Sequence, residues 1–199
     1  MESKPEHRCF LYLNSFERIS FEWDTTCRSS HLEQLQSVSQ LCAQLAEPTG
    51  KVVRATNNEH CFKSAFGTEE LLPSHRYCFA IKCIRGTNFK FGIATEQAKK
   101  TPNNAFSDTD QGFAYFSTGS LRHASKGSGV LYGDKFRQDD VIGVYVDLVD
   151  GILFFSKNGD IFTKNAFQGS ALLSNKFYPA AACLSRNEMF ELIEPQAED

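Results

Sequence analysis

The sequence predicts an all-β fold, an antiparallel β-sandwich with one amphipathic helix in its N-terminal half. Three observations carry this expectation. Between Asp139 and Phe162, Ile142, Val144, Val146 and Leu148 alternate at period two, and the turn dipeptides Asp150-Gly151 and Asn158-Gly159 follow. That is the pattern of a three-stranded meander with type I′ turns. Roughly a dozen short apolar runs bounded by polar turns occupy the chain, mostly after Gly50, as in antiparallel sandwiches. Eighteen Phe against two Met and one Trp point to a core of stiff aromatic and β-branched packing.

Taken in order, residues 1–7 are polar. Residues 8–14 (RCFLYLN) and 17–24 (ERISFEWD) read as two strands, the second with Ile19, Phe21 and Trp23 on one face. Ser30-His-Leu-Glu33 then reads as a capping box, and Leu32, Leu35, Val38, Leu41, Cys42 and Leu45 follow at helical spacing before Pro48. This predicts a helix over about 31–46. It packs its leucine stripe on the domain or, in a second reading, mediates self-association. Strands are then expected at 51–56, 61–66, 76–85, 88–95 and 112–117, with long polar loops at 96–111 and 118–129. The meander comes next, with its middle strand apolar on both faces and therefore inside the sheet. A loop at 163–176 and paired strands at 177–183 and 189–193 close the chain. The 199 residues are read as one domain with its core over about 50–194 and segment 8–46 packed on it.

Composition narrows the function. A net charge of −3 lacks the basic footprint of a nucleic-acid binder, and no apolar run approaches the ~18 residues that span a bilayer. Met1–Arg8 contains no apolar signal core, so a cytoplasmic protein is expected. Seven cysteines without a signal segment read as reduced, structural thiols. Cys78 and Cys83, five apart on one strand, face opposite ways and cannot share a metal, so neither metal nor cofactor is expected. Retaining glycanases of related architecture need two carboxylates about 5 Å apart. Glu22-Trp-Asp24 begins the usual E-x-D-x-x-E run, but Cys27 stands where the second Glu belongs.

The ordered fragments Phe89–Ala94 (FKFGIA), Gly112–Ser117 (GFAYFS), Tyr132-Gly133, Asp139–Asp147 (DDVIGVYVD), Gly151–Gly159 (GILFFSKNG) and Phe177–Ala180 (FYPA) resemble the SPRY (B30.2-type) domain family. Asp139 replaces the glycine usual before Asp140, and no PRY-type preceding segment or ubiquitin-ligase adaptor element is evident. The resemblance implies a bent, concanavalin A-like sandwich of two antiparallel sheets without catalytic residues, which binds a protein or peptide through loops at one end. By that resemblance the partner-binding candidates are Asn57, Asn58, Tyr115, Arg122 and Arg186, although alternation can also place Tyr115 in the core. A glycan-binding, lectin-like sandwich is the alternative reading, followed by a subunit self-associating through 31–46. Nucleic acid and membrane are not expected partners.

Overall fold

Alternation along the strands decides which side chains meet between the layers, and two sheets result. The computed structural model describes residues 10–35, 51–56, 61–124 and 129–194. In chain order the elements are a one-turn helix α1 (Phe10–Leu13), then β1 (Glu17–Arg18), β2 (Leu32–Leu35), β3 (Val52–Ala55), β4 (Lys63–Phe66) and β5 (Arg76–Arg85). Next come β6 (Phe89–Thr95), a 3₁₀ turn (Glu96–Lys100), β7 (Gly112–Phe116), β8 (Ser120–Arg122) and β9 (Val130–Leu131). The chain continues with β10 (Val141–Asp147), β11 (Ile152–Lys157), β12 (Asp160–Ile161), β13 (Phe167–Gln168), α2 (Ser170–Leu173), β14 (Phe177–Cys183) and β15 (Met189–Ile193).

The first sheet runs β12-β11-β10-β5-β15-β3-β2, with β1 parallel to β5 and β13 on β11; the second runs β4-β14-β6-β7-β8-β9. All pairings except β1–β5 are antiparallel. Phe79, Ile81, Val144, Val146, Phe155 and Phe190 of the first sheet share one buried cluster with Phe89, Phe91, Ile93, Phe113 and Phe177 of the second. The layers touch ring to ring, with centroids 5.8 Å apart for Phe91–Phe190 and 5.3 Å for Tyr115–Phe155.

Three expectations need correction. Leu32–Leu35 is a strand, antiparallel to Val52–Ala55 with Leu32 in the core, so the helix over 31–46 does not form where it is described; residues 36–50 lie outside the described residues. The i, i+3 spacing of Leu32 and Leu35 imitates a helix, and ladder pairing with β3 overrides that local signal. A leucine-faced dimerisation helix accordingly loses its first turn. The run read as a strand over 8–14 is α1 where it is described, because a short apolar run does not specify its own period. Segment 17–24 keeps its alternation, with Ile19, Phe21 and Trp23 buried, but only Glu17–Arg18 joins a ladder and does so in parallel.

The meander holds, with a difference at its first turn. Asn158 and Gly159 both have positive φ (53° and 91°) and join β11 to β12 as a two-residue loop, the requirement of a type I′ turn. The link from Asp147 to Ile152 instead spans four residues, with Gly151 alone among them at positive φ. Strand β11 does lie inside its sheet, between β10 on one side and the short β12 and β13 on the other. Its second apolar face is covered by Tyr12, Leu13 and Phe16, which pack on Phe154 beside Tyr145. Cys83 and Cys78 do face opposite ways, into the inter-sheet core and this outer cluster respectively.

Candidate functional site

Strand direction gathers one set of loops at one end of the sandwich. Strand β5 ends at Arg85 beside Met189, where β15 begins; β3 ends beside the same residue. Cys183, the last residue of β14, pairs with Phe89 at the start of β6 and with Lys63 at the start of β4. The connections 86–88, 117–119, 132–140 and 184–188 therefore crowd together, as does the segment leaving Ala55.

Glu188 organises this end. Its side chain is 4% exposed, and its Oε1 accepts from Thr87 N (3.0 Å), Asn88 N (2.8 Å) and Asn88 Nδ2 (3.2 Å). Its Oε2 accepts from Leu184 N (2.9 Å) and Ser185 N (2.8 Å). One carboxylate thus satisfies four backbone donors of two loops that no ladder serves. Gly86 makes the approach possible: its φ is +118°, and a Cβ there would strike Glu188 Cγ. Buried Lys63 adds a tie, donating from Nζ to Leu184 O at 2.8 Å. Asn187 adopts φ 65°, which turns the hairpin and leaves Arg186 exposed at its tip. Asn187 N donates to Ala55 O at 2.9 Å, so Arg186 stands next to the strand exit at Thr56.

A second network lies alongside. Asp140 Oδ1 accepts from Asn158 Nδ2 (2.8 Å), its Oδ2 from Arg137 N (2.9 Å), and Lys157 Nζ sits 3.6 Å away. Burial pushes the Asp140 carboxyl up, but these hydrogen bonds and the lysine charge outweigh it and hold the group below its ordinary value. Between this network and Thr87-Asn88 opens a pocket of about 550 Å³, also lined by Thr118, Lys135, Arg137 and Lys157.

The predicted site residues do not all meet here. Arg186 does. Asn57 and Asn58 lie outside the described residues; Thr56, just before them, donates its backbone N–H to His31 O at 2.8 Å. Tyr115 has no exposed surface. It is a core residue, because alternation along β7 puts Phe113 and Tyr115 inward, and its hydroxyl donates to Asp134 O. It can support the loop above it but cannot itself touch a partner. Arg122 pairs with Ala114, two residues in from the end of β7, on the outer face of the second sheet. There it lies half-buried, 5.1 Å from the Phe116 ring centre, and burial holds its guanidinium below its ordinary value. Lys90 is beside it, 2.9 Å from Asp108 and 4.2 Å from the Phe62 ring centre.

Sequence reasoning missed Glu188, Thr87, Asn88, Lys135 and Arg137. Only the Asn187-Glu188 pair between two strands hints at a clamped hairpin. The expected loop 96–111 is partly structural too, since Ala98 and Phe106 pack on Phe66 and Ala114 across the outer face. Burial also drives the Cys83 and Cys183 thiols up, away from nucleophilic chemistry. Among the described residues no group of three or more His, Cys, Asp or Glu could hold a metal ion, and no helix is long and apolar enough to cross a membrane.

Comparison with known proteins agrees with this architecture. The SPRY domain family model matches residues 76–197. The Ran-binding proteins 9/10 homolog of Drosophila melanogaster is 27% identical over 138 residues, which are 68% of this chain and 14% of that protein. The chain therefore spans only a small part of that relative's length. The crystal structure of the SPRY domain of human HERC1 superposes with a TM-score of 0.64 at 16% identity, covering 88% of this chain and 99% of that one. Because the family model covers more than half of the 199 residues, this chain belongs to the SPRY domain family, whose members are in general protein-interaction modules.

Proposed function

We propose that this protein is a non-enzymatic binding module that holds a peptide segment or protein surface against the loop end built on Glu188. The observation that supports the reading most is the five hydrogen bonds by which that buried carboxylate fixes loops 86–88 and 184–188. A surface ordered before binding loses less conformational freedom on association than mobile loops would. Arg186 projects from it as an exposed cationic anchor, a residue type enriched at interaction hot spots. Asn57 and Asn58, directly after Thr56, belong to the proposed surface by sequence position, and Arg122 contributes from the adjoining outer face. A relative whose name denotes Ran binding favours a protein ligand over a small molecule.

The test is selection of a random-peptide phage library on the intact chain, followed by rebinding of the enriched peptides to Arg186→Ala. The proposal expects enrichment and binding weakened about tenfold, the scale of a contact worth about 1.4 kcal/mol, with circular dichroism unchanged. Enriched peptides that bind Arg186→Ala and Arg122→Ala as well as the parent would contradict it.

A further inference from the structure

The geometry points to the pocket between Thr87-Asn88 and Arg137 as a subsite for an acidic side chain of the bound peptide segment. This rests on the proposed function and names the chemistry that the loop end selects.

The pocket of about 550 Å³ carries three cationic side chains, Lys135, Arg137 and Lys157, against the single carboxylate of Asp140. That carboxylate is already engaged on both oxygens, by Asn158 Nδ2 and by Arg137 N, with Lys157 Nζ at 3.6 Å. Lys157 is occupied as well, since its ammonium also donates to Lys135 O at 2.9 Å. Among the described residues, no carboxylate pairs with Lys135 or Arg137, and both are exposed. Two cations are thus left over in a chain whose overall charge is −3. The local excess runs against the global balance, and a concave wall concentrates its field. Thr118, exposed, lines the same wall with its hydroxyl 2.9 Å from Ser120 Oγ, and half-buried Asn88 spends its Nδ2 on Glu188 Oε1 and Thr87 Oγ1.

The placement matches a peptide path. Asn88 is shared between the pocket and the Glu188 clamp. A segment resting on Arg186 and the 184–188 hairpin can therefore continue over Thr87-Asn88 and lower a carboxylate toward Arg137. Arg137 suits that partner, because its planar guanidinium can grip a carboxylate with two parallel hydrogen bonds.

Two measurements test the subsite. In the first, inorganic phosphate is titrated into the ¹⁵N-labelled full chain as a minimal anion. The expected result is saturable shifts at the amides of Thr87, Thr118 and Lys135–Asp140. The shifts should be lost in Lys135→Ala/Arg137→Ala and retained in Lys100→Ala, a control on the exposed end of the 3₁₀ turn. No localised shift, or shifts that survive the double substitution, would overturn the subsite. In the second, the phage selection is repeated on the double variant. The parent should enrich peptides with Asp or Glu at a fixed position, and the double variant should lose that preference while still enriching peptides that depend on Arg186. Parent selections without acidic bias would overturn the subsite and leave the peptide-binding reading standing, whereas no enrichment on either protein would overturn both. Preference for phosphorylated over acidic versions of a selected peptide would contradict a carboxylate as the group the subsite takes.

Discussion

Each end of the sandwich buries a carboxylate that gathers donors, and the two are used differently. At one end fully buried Asp147 accepts from Arg76 Nε (2.7 Å), Tyr12 Oη (2.8 Å) and the amides of Val149 and Asp150 (2.9 Å each). Arg76 reaches on to Asp150 at 2.8 Å. The cation is consumed inside the fold, where it closes the turn after β10 and anchors α1. At the other end Glu188 is served by amide donors alone, and among the described residues no cation pairs with it. Arg186, Lys135 and Arg137 are left facing outward. A buried carboxylate neutralised by its own arginine makes a closed corner. One that orders loops through backbone donors leaves the surrounding charge available to a partner.

Removing each clamp separates the two roles. The largest effect is expected for Asp147→Ala, which leaves Arg76 without its buried partner and should cost about 3–5 kcal/mol in urea unfolding. Peptide binding at the far end should not change while the fold persists. The pH dependence has a definite sign. Burial raises the Asp147 carboxyl, but bonds from Arg76, Asp150 N, Tyr12 and Val149 N outweigh it and hold the group below its ordinary value. Its stabilisation is therefore complete above the unfolded carboxylate range, about pH 4, and is lost as pH falls through the depressed value. The stability gap between parent and Asp147→Ala should narrow below about pH 4 and stay constant above it.

Glu188→Ala comes next, on the order of 3 kcal/mol, because four backbone N–H groups lose their acceptor. Unlike the first change, it should weaken peptide binding and speed amide exchange at Thr87, Asn88, Leu184 and Ser185. Unchanged exchange at those four amides would sink the clamp as the source of order. Gly86→Ala is the smallest of the three. Its positive φ and the contact with Glu188 Cγ should cost about 1–3 kcal/mol, and the same amides should loosen in milder form.

The same two ends show how much the sequence disclosed. Strands that bury an alternating face announce themselves, and β5, β14 and β15 run over the residues that alternation predicts. Asn158-Gly159 marked its turn because both residues must take positive φ. Leu32–Leu35 misled, since a four-residue strand pairing with β3 carries too little pattern to outvote a capping box and a leucine spacing. The site was legible only as loops. Arg186 was readable as a hairpin tip, but Glu188 finds donors at Thr87 and Asn88 about a hundred positions away, a pairing no local motif encodes. Lys135 and Arg137 appear in the sequence as isolated loop charges. They come together only when β10 and β11 bring Asp140 and Lys157 beside them.

The most direct test is a chemical-shift map of the labelled chain with a selected peptide bound. The account predicts perturbed amides at 86–88, 135–140 and 184–188. Perturbations centred on Leu72, Val149 and Leu173, exposed apolar side chains near the Asp147 end, would contradict it.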